Sequence, residues 1–409
     1  GGTSLDYTKK ETALRKMLFT DYDKNARPSE QTNITITGVE VLKWDMMVES
    51  HTFKLDVWFK SQWTDPRLAW EGKGYDDLSQ LSVPQDMVWK PDFSVYNGVD
   101  LLSIGKHAGD AVNVILYPSG LVMFIPPAEL VGICTADVTY FPHDVHDCAF
   151  KIGSWIHHGY HLHIETTANS LEFEKEWTGA CESGCLKEWE MLDHSMKAES
   201  SYYECCPEPY MNLRINVKIQ RQAPALTYSI KIPAIGLSLL CLALFLLPPG
   251  AGEKIILGGL LLLCDLLFLD QVMTTINFAP THTPLLVRLV GEQMTLLVIS
   301  VLLSAWVIRV ARGPHASALP TFIKNPLLSI SPLLGLSNYK NQAIKRMVNN
   351  GKESEVEIGE SNTLTPIYKN DAGTTQADWM LFAATIDRLM FITYLVVIII
   401  SLLAFSSVL

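Results

Sequence analysis

Glu253-Lys254-Ile255-Ile256-Leu257-Gly258-Gly259-Leu260-Leu261-Leu262-Leu263-Cys264-Asp265-Leu266-Leu267-Phe268-Leu269-Asp270-Gln271-Val272-Met273-Thr274 is long enough, as a helix, to cross a bilayer. It starts on charge and carries two carboxylates, Asp265 and Asp270, inside apolar sequence. An ionisable side chain at membrane depth is costly unless it faces protein or a water path. Glu253, Ile256, Leu260, Leu263, Leu267, Asp270 and Thr274 follow one another at helical three- and four-residue steps and therefore share one face. That face is acidic at one end, acidic again near the other, and apolar between. Several such helices around an axis make a cation pathway with a hydrophobic constriction. The plainer alternative is a membrane helix with two stray acids.

The rest of the 409-residue chain allows two or three domains. Its formal net charge of -11 argues against a nucleic-acid partner. The chain opens Gly1-Gly2-Thr3 without methionine, read as a mature or engineered start, so the lack of a signal peptide says nothing about secretion. Cys241 and Cys264 fall in apolar runs and read as free thiols. Cys134, Cys148, Cys181, Cys185, Cys205 and Cys206 fall in the polar half, where disulfides are expected, and these six allow about fifteen pairings. Asn33-Ile34-Thr35 is a glycosylation sequon.

Residues 4–20 suit a short amphipathic helix. From Asn33 to Gln222 the pattern changes to short strands. Leu213, Ile215, Val217 and Ile219 alternate with Arg214, Asn216, Lys218 and Gln220, and Phe53, Leu55 and Val57 with Lys54, Asp56 and Trp58. Val112–Leu116 and Leu121–Ile125 flank Tyr117-Pro118-Ser119-Gly120, a hairpin signal. Many short strands separated by turns imply a β-sandwich. Four apolar spans follow, at about 228–247, 255–276, 284–310 and 380–408, each near the ~20 residues a bilayer requires. Pro233 predicts a kink in the first. Arg309, Arg312, Lys324, Lys340, Lys345, Arg346 and Lys352 place the long third connection in the cytoplasm, and both termini outside. Within it, Phe322, Ile323, Leu327, Leu328, Leu333 and Leu334, interrupted by Pro326 and Pro332, read as a broken amphipathic segment on the membrane. Gly351–Thr375 is polar and is expected to be mobile. From Gln376 one helix is expected to run into the last span.

Cys134-Thr-Ala-Asp-Val-Thr-Tyr-Phe-Pro-His-Asp-Val-His-Asp-Cys148 carries Phe141-Pro142 and Asp144 at fixed offsets. With the sandwich, the four spans and the loop into Gly252-Glu253-Lys254, it resembles the Cys-loop family of pentameric ligand-gated channels, over nearly the whole chain. Tyr203-Glu204-Cys205-Cys206-Pro207-Glu208-Pro209-Tyr210 resembles the alpha-type nicotinic acetylcholine receptor subunit of that family. Adjacent cysteines that pair stiffen a loop tip; the alternative is separate pairing with Cys181 and Cys185. Trp89-Lys90-Pro91-Asp92 leading to Tyr96, Gly153-Ser154-Trp155, and Val57-Trp58 match the same pattern.

The resemblance implies a Cys134–Cys148 bond in a loop that passes agonist binding to the pore. It implies a principal face of Tyr96, Trp155, Tyr203, Cys205, Cys206 and Tyr210, and a complementary face of Trp58, Ile115, Met123 and Ile125 on the neighbouring subunit. A quaternary ammonium held against several aromatic faces gains on the order of 2 kcal/mol or more. Arg221 matches a buried arginine at the domain junction, with Glu49 as its expected partner.

The pore stripe departs from the family. Nicotinic subunits place Ser or Thr where this chain has Ile256 and Leu260, so Ile256, Leu260, Leu263 and Leu267 stack four apolar rings. Such a constriction tends to dewet, which predicts a tight gate and low or absent conductance. Glu253 keeps an acidic inner ring and Asp270 adds an outer one. Asp265 lies about 200° from Leu263 and should point into the bundle, protonated or paired with Lys231. The longer stretch 169–200 carries Cys181-x-x-x-Cys185, read as a local disulfide, with zinc binding through His194 disfavoured. His161, His163 and Glu165 share a strand face, and His157 and His158 follow Trp155; solvated polarity is the default reading there.

The expectation is therefore an all-β extracellular sandwich with a short N-terminal helix (1–225), transmembrane helices 1–3 (226–311) with pore helix 255–276, a cytoplasmic loop (312–378) and a fourth transmembrane helix (379–409), in a plasma-membrane homopentamer. The expected partners are a small cationic amine such as acetylcholine and membrane lipid, with no cofactor and no metal. The second reading is a receptor of the same fold that conducts poorly or answers another ligand. No nucleophile–base arrangement supports an enzyme.

Overall fold

The computed structural model describes residues 3–98, 104, 112–135, 137–173, 188–222, 224–276, 282–313, 315, 317–339, 341–343 and 367–406. It divides into two compact units. One holds Gly1–Val138 and His143–Ala223; the other holds Thr139–Pro142, Pro224–Ile276 and His282–Leu409.

The first unit opens with helix α1 (Thr3–Phe19), which buries Leu14 and Leu18. The strands are β1 (Thr32–Met47), β2 (Thr52–Thr64), β3 (Leu81–Pro84), β4 (Phe93–Val95), β5 (Asn113–Leu116), β6 (Leu121–Phe124), β7 (Pro127–Thr135), β8 (Val145–Ser154), β9 (Leu162–Thr166), β10 (Glu172–Phe173), β11 (Trp189–Tyr203) and β12 (Cys206–Arg221). Strands β1 and β2 form a long antiparallel ladder, and β2 passes from β7 at its start to β6 at its end. The second face is β11, β12 and β8, with β4 on the far edge of β8. The two faces are linked through β7, whose Cys134 lies opposite Cys148 of β8 and is bonded to it.

Alternation decides which side each strand buries. Phe53, Leu55, Val57 and Phe59 on β2 and Leu213, Ile215, Val217 and Ile219 on β12 all join one core. Each such burial contributes roughly 1.5–3 kcal/mol. The same alternation puts Trp58 and Lys60 on the opposite, half-buried side of β2.

The second unit contains four helices long and apolar enough to cross a membrane: α2 (Pro224–Leu246), α3 (Glu253–Ile276), α4 (Leu285–Arg312) and the apolar part, Thr374–Ala404, of a longer final helix. The irregularity expected at Pro233 takes the form of wide turns over Thr227–Lys231, followed by a regular stretch Ile232–Leu240. Proline has no N–H to give back to the preceding turn, which loosens there.

Two expectations are corrected. The segment runs through Pro326 as one helix, α5 (Thr321–Ile330), and is interrupted only at the turns around Pro332. It packs Leu327 and Ile323 against Leu381 and Ala384, and Lys324 pairs with Asp378 at 2.8 Å. The final helix, α6, runs Ile367–Ala404, so the polar stretch expected to be mobile is helical from residue 367; residues 351–366 lie outside the described residues. Contacts of that helix explain the extension: Gln376 donates to the Ala311 carbonyl at 2.9 Å, and Trp379 stacks on His315 at 4.3 Å.

Helix α3 begins at Glu253, two residues before the expected start, and has two distinct faces. Lys254, Gly258, Leu261, Asp265, Phe268, Val272 and Ile276 are buried. Glu253, Ile256, Leu260, Leu263, Leu267, Asp270 and Thr274 are all exposed in the single chain. At its start, Lys254 and Asp387 of α6 form a buried ion pair.

Candidate ligand-binding site

The site is built on β8, the hairpin of β11 and β12, and the turn after β4. Tyr203 pairs with Cys206 at the hairpin tip, where Cys205 and Cys206 are bonded to each other. Tyr203 and Tyr210 meet edge to face, 5.7 Å between centroids. Tyr96 meets Trp155 the same way at 6.1 Å. Trp155 is 66% exposed and Tyr203 41%, so neither is core packing. Edge-to-face geometry leaves ring faces open to a guest cation.

Three local devices hold these rings. Tyr96 donates its hydroxyl to the Ser154 carbonyl at 2.5 Å. Burial, with Tyr203, Asp92 and Tyr210 nearby, raises the Tyr96 pKa, so its hydroxyl stays a donor. Asp92 accepts from Ser154 Oγ at 2.5 Å and from the backbone N–H groups of Trp155 and Ile156 at 3.1 and 3.2 Å. Position 153 is glycine because a Cβ there would stand 2.5 Å from the Tyr96 oxygen and 2.8 Å from the Met211 carbonyl.

The cage already borders on a cation. Lys151 of β8 donates to the Tyr203 hydroxyl at 3.0 Å, with its ammonium 5.2 Å from the Tyr203 centroid and 5.9 Å from that of Tyr96. Among the described residues it makes no ion pair.

Trp58, Ile115, Met123 and Ile125 sit elsewhere. Ile115 lies opposite Met123, and Met123 opposite Gln62, on the outward side of β2, β5 and β6. Lys60 stands between Trp58 and Gln62 on that side, paired with Glu40 and Glu172 at 2.8 and 2.7 Å. Trp58, Ile115 and Met123 lie in one sheet, with Ile125 just past the end of β6, and the aromatic cage is built on the other, so one chain does not assemble both.

Arg221, at the end of β12, is buried and donates through Nε to Asp144 Oδ1 at 2.8 Å and through Nη1 to Glu188. Its guanidinium lies over Trp189, 4.3 Å from the centroid. His146 accepts from the Asp137 N–H at Nδ1, which leaves Nε2 to donate to Asp144 Oδ2 at 2.5 Å. Burial works against the Asp144 carboxylate, but the hydrogen bonds from His146 and Arg221 outweigh it and hold its pKa below the usual range. Phe141 and Pro142 are buried and belong with the helices, where the Leu285 N–H donates to the Thr139 carbonyl at 3.0 Å.

The contact shown for Asp265 is Gln293, whose Nε2 donates at 3.0 Å, in place of the expected Lys231. His194 Nδ1 accepts from the Leu171 N–H, and Glu165 accepts from Thr35. Among the described residues no group of three His, Cys, Asp or Glu side chains is arranged to hold a metal ion. Asn33 is exposed on β1. Cys181 and Cys185 lie outside the described residues.

The neurotransmitter-gated ion-channel ligand binding domain matches residues 11–223. The chain belongs to the neurotransmitter-gated ion-channel family. It is 29% identical over 331 residues to the neuronal acetylcholine receptor subunit alpha-2 of Gallus gallus, covering 79% of this chain and 60% of that protein. It is 27% identical over 411 residues to the alpha-5 subunit of Homo sapiens, covering 95% and 84%. The chain thus spans about three fifths of the alpha-2 subunit it matches. With four candidate spans, this neurotransmitter-gated channel chain is a multi-pass membrane protein whose N-terminal ligand-binding domain lies outside the cell.

Sequence reasoning missed Lys151, the anchoring role of Asp92, and the Asp144–His146–Glu188 surroundings of Arg221. Asp92 and Asp144 stood inside quoted motifs, but Ser154 is 62 residues from the first and Arg221 is 77 from the second, so neither pairing carries a local signal.

Proposed function

We propose that the chain is a subunit of a pentameric ligand-gated cation channel that binds a cationic amine, acetylcholine being the first candidate. The observation that carries this is the cluster of Tyr96, Trp155, Tyr203 and Tyr210 beside the bonded Cys205–Cys206 tip, with Trp155 open to solvent. A methylated ammonium gains on the order of 2 kcal/mol or more against such ring faces. The complementary wall of Trp58, Ile115, Met123 and Ile125 comes from a second copy, which makes a homopentamer self-sufficient. The 29%-identical relatives are named acetylcholine receptor subunits, which favours the same class of ligand. In this reading α3 lines the pore. Its exposed acids Glu253 and Asp270 favour cations, and Ile256, Leu260, Leu263 and Leu267 form a hydrophobic gate. Asp144 and Arg221, with Glu49, Phe141 and Pro142, transmit the signal.

The length of that apolar stretch supports a second reading, a receptor that binds but conducts poorly. Expressing the full chain, measuring radiolabelled acetylcholine binding and recording current on the same cells separates the two. Saturable binding with current supports the channel. Binding without current supports the silent receptor, and neither binding nor current for any quaternary amine defeats the ligand reading.

A further inference from the structure

The buried face of α3 carries one acid whose place in the bundle the gate explains. Asp265 is 1% exposed and accepts from Gln293 of α4, and Gln293 Oε1 lies against the Ser238 hydroxyl of α2. Ser238 also stands 2.8 Å from the Ala234 carbonyl. Asp265 Oδ2 has no partner among the described residues. A chain of polar side chains across three helices is costly where leucine would fill the space, unless orientation is what it supplies.

That orientation concerns the gate. Asp265 is two residues from both Leu263 and Leu267, about 200° around the helix in either direction. Holding Asp265 toward α4 therefore holds both leucines on the opposite side, where they are exposed. Seven residues earlier, on the same face, Gly258 approaches α4 so closely that a Cβ would stand 2.4 Å from Val301 Cγ2. A close backbone contact fixes distance but permits rolling; a hydrogen bond one heptad away does not.

We propose that Asp265 is a positioning residue of the gate, its bond from Gln293 fixing the roll of α3 that keeps Leu263 and Leu267 toward the pore axis. The proposal rests on the reading of α3 as pore-lining.

The test uses the full chain at the surface of expressing cells, in a Cys264→Ala background that removes the exposed native thiol of α3. Single cysteines are placed at Leu263, on the stripe, and at Leu262, beside it. Their reaction with an extracellular cationic methanethiosulfonate is followed by loss of later maleimide–biotin labelling, which requires no current. In Asp265→Leu, the Leu263→Cys rate should fall about tenfold and the Leu262→Cys rate should rise, as loss of one interhelical hydrogen bond allows. Gln293→Leu should reproduce this, the double variant should be no worse than either, and Asp265→Asn, which keeps the acceptor, should restore the original pattern. Unchanged rates in both Asp265→Leu and Gln293→Leu, additive effects, or Asp265→Asn behaving like Asp265→Leu would overturn the proposal while leaving the pore reading intact. A Leu263→Cys thiol unreactive in every background overturns the pore reading and this proposal together. If Asp265→Leu fails to reach the surface, Gln293→Leu and Ser238→Ala decide the matter by the same rates.

Discussion

The Arg221 guanidinium and the Asp144 carboxylate meet inside the sandwich, Nε to Oδ1 at 2.8 Å, 77 residues apart in sequence. Asp144 belongs to the loop closed by Cys134–Cys148, and Arg221 is the last residue of β12, just before the first span. The pair ties that loop to the strand leading into the helices.

Removing one partner of this pair should therefore be expensive. Asp144→Asn takes one carboxylate away from a buried guanidinium and should cost about 3 kcal/mol of stability. The pH dependence has a fixed sign. The folded Asp144 pKa is below its unfolded value, so its contribution is complete above the ordinary carboxylate range near ~4 and is lost as pH falls through the lowered folded value. Acid unfolding of the full chain in detergent, followed by fluorescence, should show a shallower slope below about pH 4 for Asp144→Asn. An unchanged slope would mean that other carboxylates dominate.

Asp92 offers a second check, on the ligand site. Its two oxygens accept from one hydroxyl and two backbone N–H groups. In Asp92→Asn the amide oxygen can keep the two backbone N–H groups only by turning its NH₂ toward Ser154 Oγ, so the hydroxyl loses its acceptor and all three donors lose a charged partner. The turn carrying Trp155 should loosen, and amine affinity should fall about tenfold, which corresponds to a charged hydrogen bond of ~1.4 kcal/mol. Ser154→Ala, which removes only one of the three donors, should lose less. Equilibrium radioligand binding on both variants measures the difference.

The strands and the spans were legible because their signals are periodic. Leu213, Ile215, Val217 and Ile219 announce a buried face by alternation, and the stripe from Glu253 to Thr274 announces an exposed one by helical spacing. The cage aromatics were legible only as motif positions, since a lone tryptophan is usually core. What stayed hidden depends on long-range pairing. Lys151 lies on the same side of β8 as Asp147 and Ala149, and nothing local points it at Tyr203. Proline at 326 suggested a break, yet α5 continues because Ile323 and Leu327 gain a partner helix that sequence does not display.

Trp155 should separate ligand energy from fold energy. Because its side chain is two-thirds exposed, Trp155→Ala should change thermal stability by no more than about 0.5 kcal/mol. Its effect on a quaternary ammonium should be about 2 kcal/mol, or roughly thirtyfold in Kd, and Trp155→Phe should fall between. Binding and thermal denaturation measured on the same preparations test this. A stability loss as large as the binding loss would return Trp155 to a structural role.

Lys254 and Asp387 make the opposite case, an ion pair in which neither group reaches solvent. Lys254→Met alone should destabilise by about 3–5 kcal/mol, because it strands the Asp387 carboxylate; so should Asp387→Leu. The double variant should recover most of the loss, since two apolar side chains fit an apolar bundle. The readout is the thermal midpoint of the full chain in detergent for all four members of the cycle. Additive losses would show that each residue acts through contacts other than this pair.

The last expectation concerns the stripe itself. Ile256, Leu260, Leu263 and Leu267 are each more than half exposed in the single chain, so in a ring of copies they line whatever axis that face surrounds. Four consecutive apolar rings leave an ion without water or oxygen ligands over about 17 Å, the rise of eleven residues at 1.5 Å each. Introducing hydroxyls at the inner two positions shortens the dry stretch by more than half and gives permeating water a hydrogen-bonding wall. Ile256→Thr with Leu260→Ser should therefore yield acetylcholine-evoked, cation-selective current in cells where the unmodified chain gives little or none. Glu253 and Asp270, left in place, should keep chloride out, so the reversal potential should follow external sodium rather than chloride. Ligand affinity should stay within about threefold, because the substitutions lie in the helical unit and the aromatic cage in the other. Large agonist current from the unmodified chain would remove the hydrophobic-gate reading. A double variant that binds acetylcholine and stays silent would put the block somewhere other than these two rings.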